Sequence, residues 1–235
     1  MNTFKKAFGR ERSVIPKNTK TLAEADIIKD VNNIIYYRTA IDEYYKNELF
    51  NALSYVNKAI ELDNSNWLFN AFKANVLEET KQYSSAIDEY IKAIEINGND
   101  IYVYALYHQI GWCYLNINND HKAIEFYTYA IDLELKHPNH EYNKDLEGMD
   151  NGVVVGKEMK QMYVNRGNSY KNISNLESAQ QDCLEAVKCD DNYSNPYLLL
   201  YQIYIKAGLE EKAIGFLQTS ARLGNQNAVR MLNEL

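Results

Sequence analysis

Small and bulky side chains recur at helical spacing along most of this chain of 235 residues. In five places a small residue is followed four positions later by a larger side chain, and three positions after that by a second small residue. The five copies are Ala52, Val56, Ala59; Ala86, Tyr90, Ala93; Ala123, Tyr127, Ala130; Ala179, Cys183, Ala186; and Ala213, Leu217, Ser220. Steps of four and three place all three residues on one face of an α-helix, where small residues let a neighbouring helix approach closely. The pattern predicts five helices that each pack tightly against another helix.

A further small residue stands twelve positions before the leading alanine in four of the five copies. These residues are Ala40, Ala74, Gly111 and Gly167, whereas the last copy has Tyr201 at this place. Aromatic side chains flank the two glycines, four positions before and three positions after. This spacing predicts the first helix of a helical hairpin, with the small residue at the point where the two helices cross.

The predicted hairpin is repeated along the chain, because successive leading alanines are 34, 37, 56 and 34 residues apart. A period of 34 residues and the small–aromatic–alanine pattern resemble the tetratricopeptide repeat family. The resemblance covers roughly residues 33–227 and implies an all-α, right-handed superhelix (an α-solenoid) of about five helical hairpins. The implied repeats are 33–66, 67–100, 104–137, 160–193 and 194–227. Val229, Leu232 and Leu235 follow at helical spacing and predict a C-terminal capping helix.

Two segments lie outside the repeats. Residues 1–20 carry six Lys and Arg against a single Glu, which predicts a solvated and poorly ordered tail, or else an arm that contacts an acidic partner or a membrane surface. The 56-residue step predicts an insertion at 138–159, whose three Gly and three consecutive Val disfavour a helix, so that we expect a long loop. Residues 21–235 are expected to form a single domain.

Charge and composition narrow the classes of partner. The formal net charge is −7, so an acidic surface repels nucleic acid and would suit a basic protein. A run of about 18 apolar residues is absent from the sequence, so no membrane span is expected. Three cysteines without a CxxC pair fit a reducing compartment, and the expected location is the cytoplasm.

Catalytic, cofactor-binding and metal-binding motifs are not found in the sequence. There is no GxGxxG, no phosphate-binding loop with its Lys-Ser/Thr, and no Gly-x-Ser-x-Gly. His137 and His140 flank Pro138, but no cysteine or further histidine completes a tetrahedral set around them. We therefore expect a protein that is not an enzyme and that needs neither cofactor nor metal.

The family resemblance implies where a partner would bind. In tetratricopeptide arrays the first helix of each hairpin lines the concave side of the superhelix. The side chains predicted to line that side are Tyr37, Asn75, His108, Gln109, Trp112, Asn165, Asn168, Asn172 and Gln202. Amide side chains both donate and accept hydrogen bonds, so that a row of them can bind an extended peptide backbone, with Tyr37 and Trp112 as aromatic anchors.

One function of the family is disfavoured by the residues themselves. Members that bind chaperones hold a C-terminal carboxylate with lysine, asparagine and arginine side chains from three successive repeats. The corresponding positions here hold Ala71, Asn75, Gln109, Gln161 and Asn165, so that every cation is missing.

The sequence therefore predicts a protein-interaction module that binds a peptide or protein in its concave groove. The alternative is a dedicated neutralising partner, of the immunity-protein or chaperone kind, for one basic bacterial protein. That alternative depends on the charge of −7 and the small size of the chain.

Overall fold

The computed structural model describes residues 24–97, 103–136 and 159–235. These residues form eleven α-helices and contain no β-strand. The helices are α1 Glu24–Tyr45, α2 Leu49–Leu62, α3 Trp67–Glu79, α4 Tyr83–Asn97, α5 Val103–Asn116, α6 Asp120–Lys136, α7 Met159–Asn172, α8 Leu176–Cys189, α9 Asn195–Lys206, α10 Glu210–Arg222 and α11 Gln226–Asn233. The all-α fold class and the capping helix predicted from the sequence are confirmed.

The described chain divides into two compact units, with residues up to Leu106 in the first and residues from Tyr107 in the second. In unit 1, α1 packs on α2 and α3 packs on α4. In unit 2, α7 packs on α8 and α9 on α10, and the short α11 covers the last hairpin by packing on α10. The predicted tail at 1–20 and the predicted loop at 138–159 lie outside the described residues, apart from Met159, where α7 begins. The division into five repeats within a single domain stays a prediction.

The small residues of the repeating pattern are all buried. Both small residues of each of the five copies have no exposed surface, and the same is true of Ala40 and Ala74. At Gly111 in α5, a Cβ atom would lie only 2.8 Å from two carbons of the Tyr127 ring in α6. At Gly167 in α7 it would lie 3.2 Å from Leu199 and 3.3 Å from a backbone oxygen in α8. The spacing seen in the sequence therefore marks the places where helices approach one another most closely.

The first helix of every hairpin ends in the same turn. Its closing residues have φ angles between 58° and 74° and are Asn47, Lys81, Asn118, Ser174 and Gly208. In each turn this residue donates its N–H to the carbonyl three residues earlier, and the next residue donates to the carbonyl five residues earlier. These bonds satisfy carbonyl groups that the end of a helix leaves without partners. Only one of the five positions is glycine, so four hairpins carry some backbone strain in the left-handed region.

An arginine joins three helices of unit 2. Arg166 in α7 donates from Nε and Nη2 to the two carboxylate oxygens of Asp182 in α8, at 2.9 and 2.7 Å. Its Nη1 donates to Oγ1 of Thr128 in α6 at 3.0 Å. The guanidinium also lies against the rings of Tyr163 and Tyr170, at 5.7 and 5.9 Å from their centroids. This network fixes α7 against its two neighbours, α6 and α8.

Candidate functional site

Seven of the nine predicted binding residues lie on three successive first helices of unit 2. His108, Gln109 and Trp112 are on α5, three asparagines are on α7, and Gln202 is on α9. Their spacing within each helix puts them on one side of that helix. Two lysines extend the same rows by one turn, Lys171 on α7 and Lys206 on α9. We call this set the first-helix polar face: His108, Gln109, Trp112, Asn165, Asn168, Lys171, Asn172, Gln202 and Lys206.

The link between α5 and α7 is a buried histidine. His108 is almost fully buried, its Nε2 lies 3.1 Å from Nδ2 of Asn165, and its Nδ1 lies 3.1 Å from Oε1 of Gln109. An amide oxygen only accepts and an amide nitrogen only donates, so a neutral imidazole with its proton on Nδ1 satisfies both contacts. The ring also packs on Tyr127, with centroids 5.4 Å apart. His108 therefore positions Gln109 and Asn165 and is itself too deeply buried to contact a ligand.

The link between α7 and α9 is made by the two lysines. Nζ of Lys171 donates to Oδ1 of Asn168 at 3.1 Å and to Oε1 of Gln202 at 2.6 Å. Nζ of Lys206 donates to the backbone oxygen of Lys171 at 2.8 Å. Partial burial and the neighbouring Lys206 lower the pKa of Lys171. At the edge of the face, Nδ2 of Asn172 donates to Asp120 at 2.9 Å.

The sequence prediction included the amides but missed the lysines. Lys171 follows Asn168 by three positions and Lys206 follows Gln202 by four, so the helical rows already contained them. Following each row for one more turn would have found both residues. Their role became visible only in the contact between α7 and α9, which single-helix spacing does not describe.

Trp112 supplies apolar surface to the polar face. It is 37% exposed, although tryptophan is normally well buried in a folded chain. It follows His108 by four positions and Gln109 by three, so it lies on their side of α5. An exposed indole next to amide groups is the kind of surface that supplies much of the affinity in protein interfaces.

The two predicted residues of unit 1 lie in a different environment. Tyr37 is only 2% exposed and packs between Phe69 and Phe72, with ring centroids 4.7 and 5.5 Å away. Asn75 is 8% exposed, and its side-chain oxygen accepts a hydrogen bond from the Tyr90 hydroxyl. A ligand would have to displace these neighbours to reach either side chain. We therefore leave Tyr37 and Asn75 out of the contact set proposed below.

The described residues contain neither a metal-binding cluster nor a membrane-spanning helix. Among residues 24–97, 103–136 and 159–235 no three His, Cys, Asp or Glu side chains come close enough together to hold a metal ion. His137 and His140 lie outside these ranges. Within the same ranges no helix combines the length and the apolar character needed to cross a membrane.

Comparison with known proteins identifies the class to which this arrangement belongs. The tetratricopeptide repeat model matches residues 69–100, 104–137 and 160–193. The chain is a tetratricopeptide repeat protein, and such proteins generally mediate protein–protein interactions. They are typically non-enzymatic interaction modules.

The curated relatives are longer proteins with the same kind of repeat. The chain is 28% identical over 156 residues to the Hsp70-Hsp90 organising protein of Plasmodium falciparum, which covers 63% of this chain and 28% of that protein. It is 24% identical over 198 residues to the TPR repeat-containing protein MJ1428 of Methanocaldococcus jannaschii, covering 76% of this chain and 34% of that protein. The chain spans about a third of the length of these relatives.

Solved structures share the fold at low identity. MamA superposes with a TM-score of 0.65 at 14% identity, covering 82% of this chain and 91% of that chain. YrrB, described as a TPR protein with an unusual peptide-binding site, superposes with a TM-score of 0.64 at 18% identity, covering 92% of this chain and 99% of that chain. At these identities the likeness establishes the α-solenoid fold.

Proposed function

We propose that the first-helix polar face of unit 2 binds an extended segment of a partner protein. The observation that carries the proposal is the unused hydrogen-bonding capacity of its amides. The side-chain oxygens of Asn168 and Gln202 accept from Lys171, whereas their NH₂ groups have no partner among the described residues. Asn168 and Gln202 are both partly exposed, so these NH₂ groups are not sealed in the core. They can therefore donate to the carbonyl groups of a bound peptide.

The side-chain amides of Asn168 and Gln202 lie close enough together to contact one extended segment. Both oxygens contact the same Nζ atom of Lys171, so they lie no more than 5.7 Å apart. Alternate carbonyl groups on one side of an extended chain are separated by about 6.5–7 Å. The two amides are therefore close enough to donate to carbonyl groups of the same extended segment, while Trp112, two helices earlier, would anchor an apolar side chain.

The comparisons support peptide or protein binding as the kind of function and leave the partner open. YrrB, which has a similar fold, is a TPR protein with an unusual peptide-binding site. The name of the Plasmodium relative points to two chaperones, but this chain lacks cations at the positions that hold a chaperone carboxylate, where Gln109, Gln161 and Asn165 stand. We therefore propose that the partner is a cytoplasmic protein or peptide other than a chaperone tail. We do not expect the chain to bind nucleic acid.

The test uses a displayed library of random twelve-residue peptides, selected on the immobilised chain and then measured singly by fluorescence anisotropy. Trp112→Ala combined with Asn168→Ala removes one aromatic anchor and one amide, and we expect affinity to fall at least about tenfold. Gln218→Ala on α10 is the control, because this exposed amide lies outside the polar face. Circular dichroism must show the same helix content for all variants. Equal affinity of the selected peptides for the native chain and the double variant would refute the proposal.

A second function rests on the charge of unit 1. Its described residues, 24–97 and 103–106, carry 13 Asp and Glu against 7 Lys and Arg, a formal charge of −6. In unit 2 the described residues, 107–136 and 159–235, carry 12 against 10. An acidic unit 1 would suit a neutralising partner for one basic protein, the alternative function. Steep weakening of a stoichiometric complex as salt rises would favour this function, whereas salt-insensitive binding of several unrelated peptides would favour the general module.

A further inference from the structure

The ammonium groups of Lys171 and Lys206 have no carboxylate partner within residues 24–97, 103–136 and 159–235. Each described hydrogen bond that they make goes to an amide or backbone oxygen, and neither lysine forms an ion pair with any described residue. Four other cations of unit 2 form ion pairs with carboxylates. Lys122 pairs with Glu125, Lys160 with Asp190, Arg166 with Asp182 and Lys188 with Glu185, at 2.7–2.8 Å. The two lysines of the polar face thus direct their ammonium groups to neutral oxygens and leave their charges without a carboxylate partner among the described residues.

Lys171 also decides which atoms of its neighbours face outward. An ammonium group can only donate, so the amides of Asn168 and Gln202 must turn their oxygens toward it. Their acceptor atoms are thereby occupied and their NH₂ donors are left over. An ammonium group has three N–H bonds, of which Lys171 uses two and Lys206 uses one. Every unused side-chain group in this cluster is therefore a hydrogen-bond donor, except for the second lone pairs of the amide oxygens.

A surface that presents mainly donors and two positive charges favours an acceptor with negative charge. We infer that Lys171, Lys206, Asn168 and Gln202 form a site for the carboxylate of an aspartate or glutamate side chain in the bound peptide. This inference rests on the proposed function and specifies the chemistry of its ligand. The complementarity is direct, because a carboxylate offers about four lone-pair positions and has no donor. Such hydrogen bonds are about twice as strong as neutral ones.

The electrostatic setting favours the same ligand. Lys171 is half-buried, and its charged form is disfavoured by burial and by Lys206, with smaller opposing effects of Cys183 and Asp120 that leave its pKa lowered. A bound carboxylate would counter both unfavourable effects. Both lysines lie in the last turn of their helices, where the negative end of the helix dipole favours a cation. Lys171, however, directs its ammonium group to Gln202 on the neighbouring helix α9. Helix capping therefore does not account for its placement.

The site differs from the chaperone-type carboxylate clamp of the family. The positions of that clamp hold Gln109, Gln161 and Asn165 here. Lys171 and Lys206 lie further along α7 and α9, in the last turn of each helix. The inferred ligand is an internal acidic side chain, so a free C-terminus is not required.

The experiment measures two sets of probes on the full chain. The first is a pair of labelled nine-residue peptides with acetylated and amidated ends, in which three glutamates in one are replaced by glutamines in the other. The second is the set of peptides selected from the random library. We expect the glutamate peptide to bind the native chain at least about tenfold more tightly than the glutamine peptide. The selected peptides should be enriched in Asp and Glu.

The variants separate this site from general charge effects. Lys171→Gln with Lys206→Gln should abolish the preference for glutamate, and Lys206→Gln alone, at an exposed position, should reduce it without affecting folding. Lys212→Gln on α10 makes the same change of charge at an exposed lysine outside the face and should keep the full preference. Inorganic phosphate should compete only weakly with the glutamate peptide, because it has no backbone carbonyl groups and no side chain that could add contacts with the rest of the polar face.

The inference would be overturned by the absence of a preference for glutamate in the native chain, by a preference that survives in the double lysine variant, or by an equal loss of preference in Lys212→Gln. Binding of phosphate as tight as that of the glutamate peptide would also overturn it. Selected peptides that depend on Trp112 and Asn168 but not on the lysines would refute this site and leave the proposed function standing. Selected peptides that depend on neither pair would refute the proposed function itself.

Discussion

The close approach of α5 to α6 can be tested with a single methyl group. Gly111 in α5 faces the ring of Tyr127, and an alanine Cβ there would lie 2.8 Å from two ring carbons and 3.1 Å from a third. Ordinary carbon contacts are about 3.5–4.0 Å, so that something must move by more than half an ångström. The Tyr127 ring has no exposed surface and also packs on His108. It therefore has little room to withdraw.

The magnitude follows from two opposing effects. Alanine in place of glycine within a helix stabilises by about 1 kcal/mol. Overpacking a filled core costs about 1–3 kcal/mol, and the rigid ring places Gly111 in the upper part of that range. We therefore expect Gly111→Ala to lower the free energy of unfolding by about 1–2 kcal/mol. For a chain of this size this corresponds to a fall in Tm of roughly 2–8 °C.

The chain offers a matched control and an intermediate case in the same unit. Gly215 lies inside α10, and a Cβ there would meet no atom within 4 Å. Gly215→Ala should therefore gain helix propensity alone and stabilise by about 0.5–1 kcal/mol. At Gly167 the nearest atoms would lie 3.2–3.3 Å away, and one of them is a backbone oxygen, so that the two effects should nearly cancel.

The assay is urea unfolding of the three variants beside the native chain, followed by circular dichroism at constant protein concentration. The linear extrapolation yields each free energy of unfolding, and an unchanged slope shows that the same surface is exposed. The expected order of stability is Gly215→Ala, then Gly167→Ala, then Gly111→Ala. If Gly111→Ala were as stable as Gly215→Ala, the reasoning that small residues are required by helix contact would be refuted.

Two further changes test other parts of the structure. Asp182→Ala should destabilise by about 3 kcal/mol, because it leaves the partly buried Arg166 guanidinium without its buried carboxylate. Glu185→Ala at a surface pair should cost at most about 0.5 kcal/mol, and equal losses in thermal unfolding would contradict this. Lys81→Gly should stabilise by about 0.5–1 kcal/mol, because Lys81 has a φ of 60° that glycine adopts without strain. The control Lys212→Gly, inside α10, should destabilise by a similar amount. A loss of stability in Lys81→Gly would show that its turn carries no strain.

The candidate site was only partly predictable from the sequence. Helical spacing grouped Gln109, Trp112 and Asn168 with the residues that form the polar face, because positions three or four apart share one side of a helix. The same reasoning placed Tyr37 on that side in the first repeat. It could not foresee that Phe69 and Phe72 enclose the Tyr37 ring, since that depends on a helix from the next hairpin. Whether either residue of unit 1 takes part in binding stays a prediction.

The helical hairpins and the points where their helices meet were predictable from the spacing of residues along the chain. Those features follow from the fixed rotation of about 100° per residue in an α-helix and from side-chain volume, and both can be read from spacing alone. The tertiary structure alone decided that Lys171 turns the amides of Asn168 and Gln202 outward, and that Asp182 rather than a surface acid holds Arg166. These contacts join residues on different helices, and their distances are set by how the helices pack and by the rotamers that this packing allows.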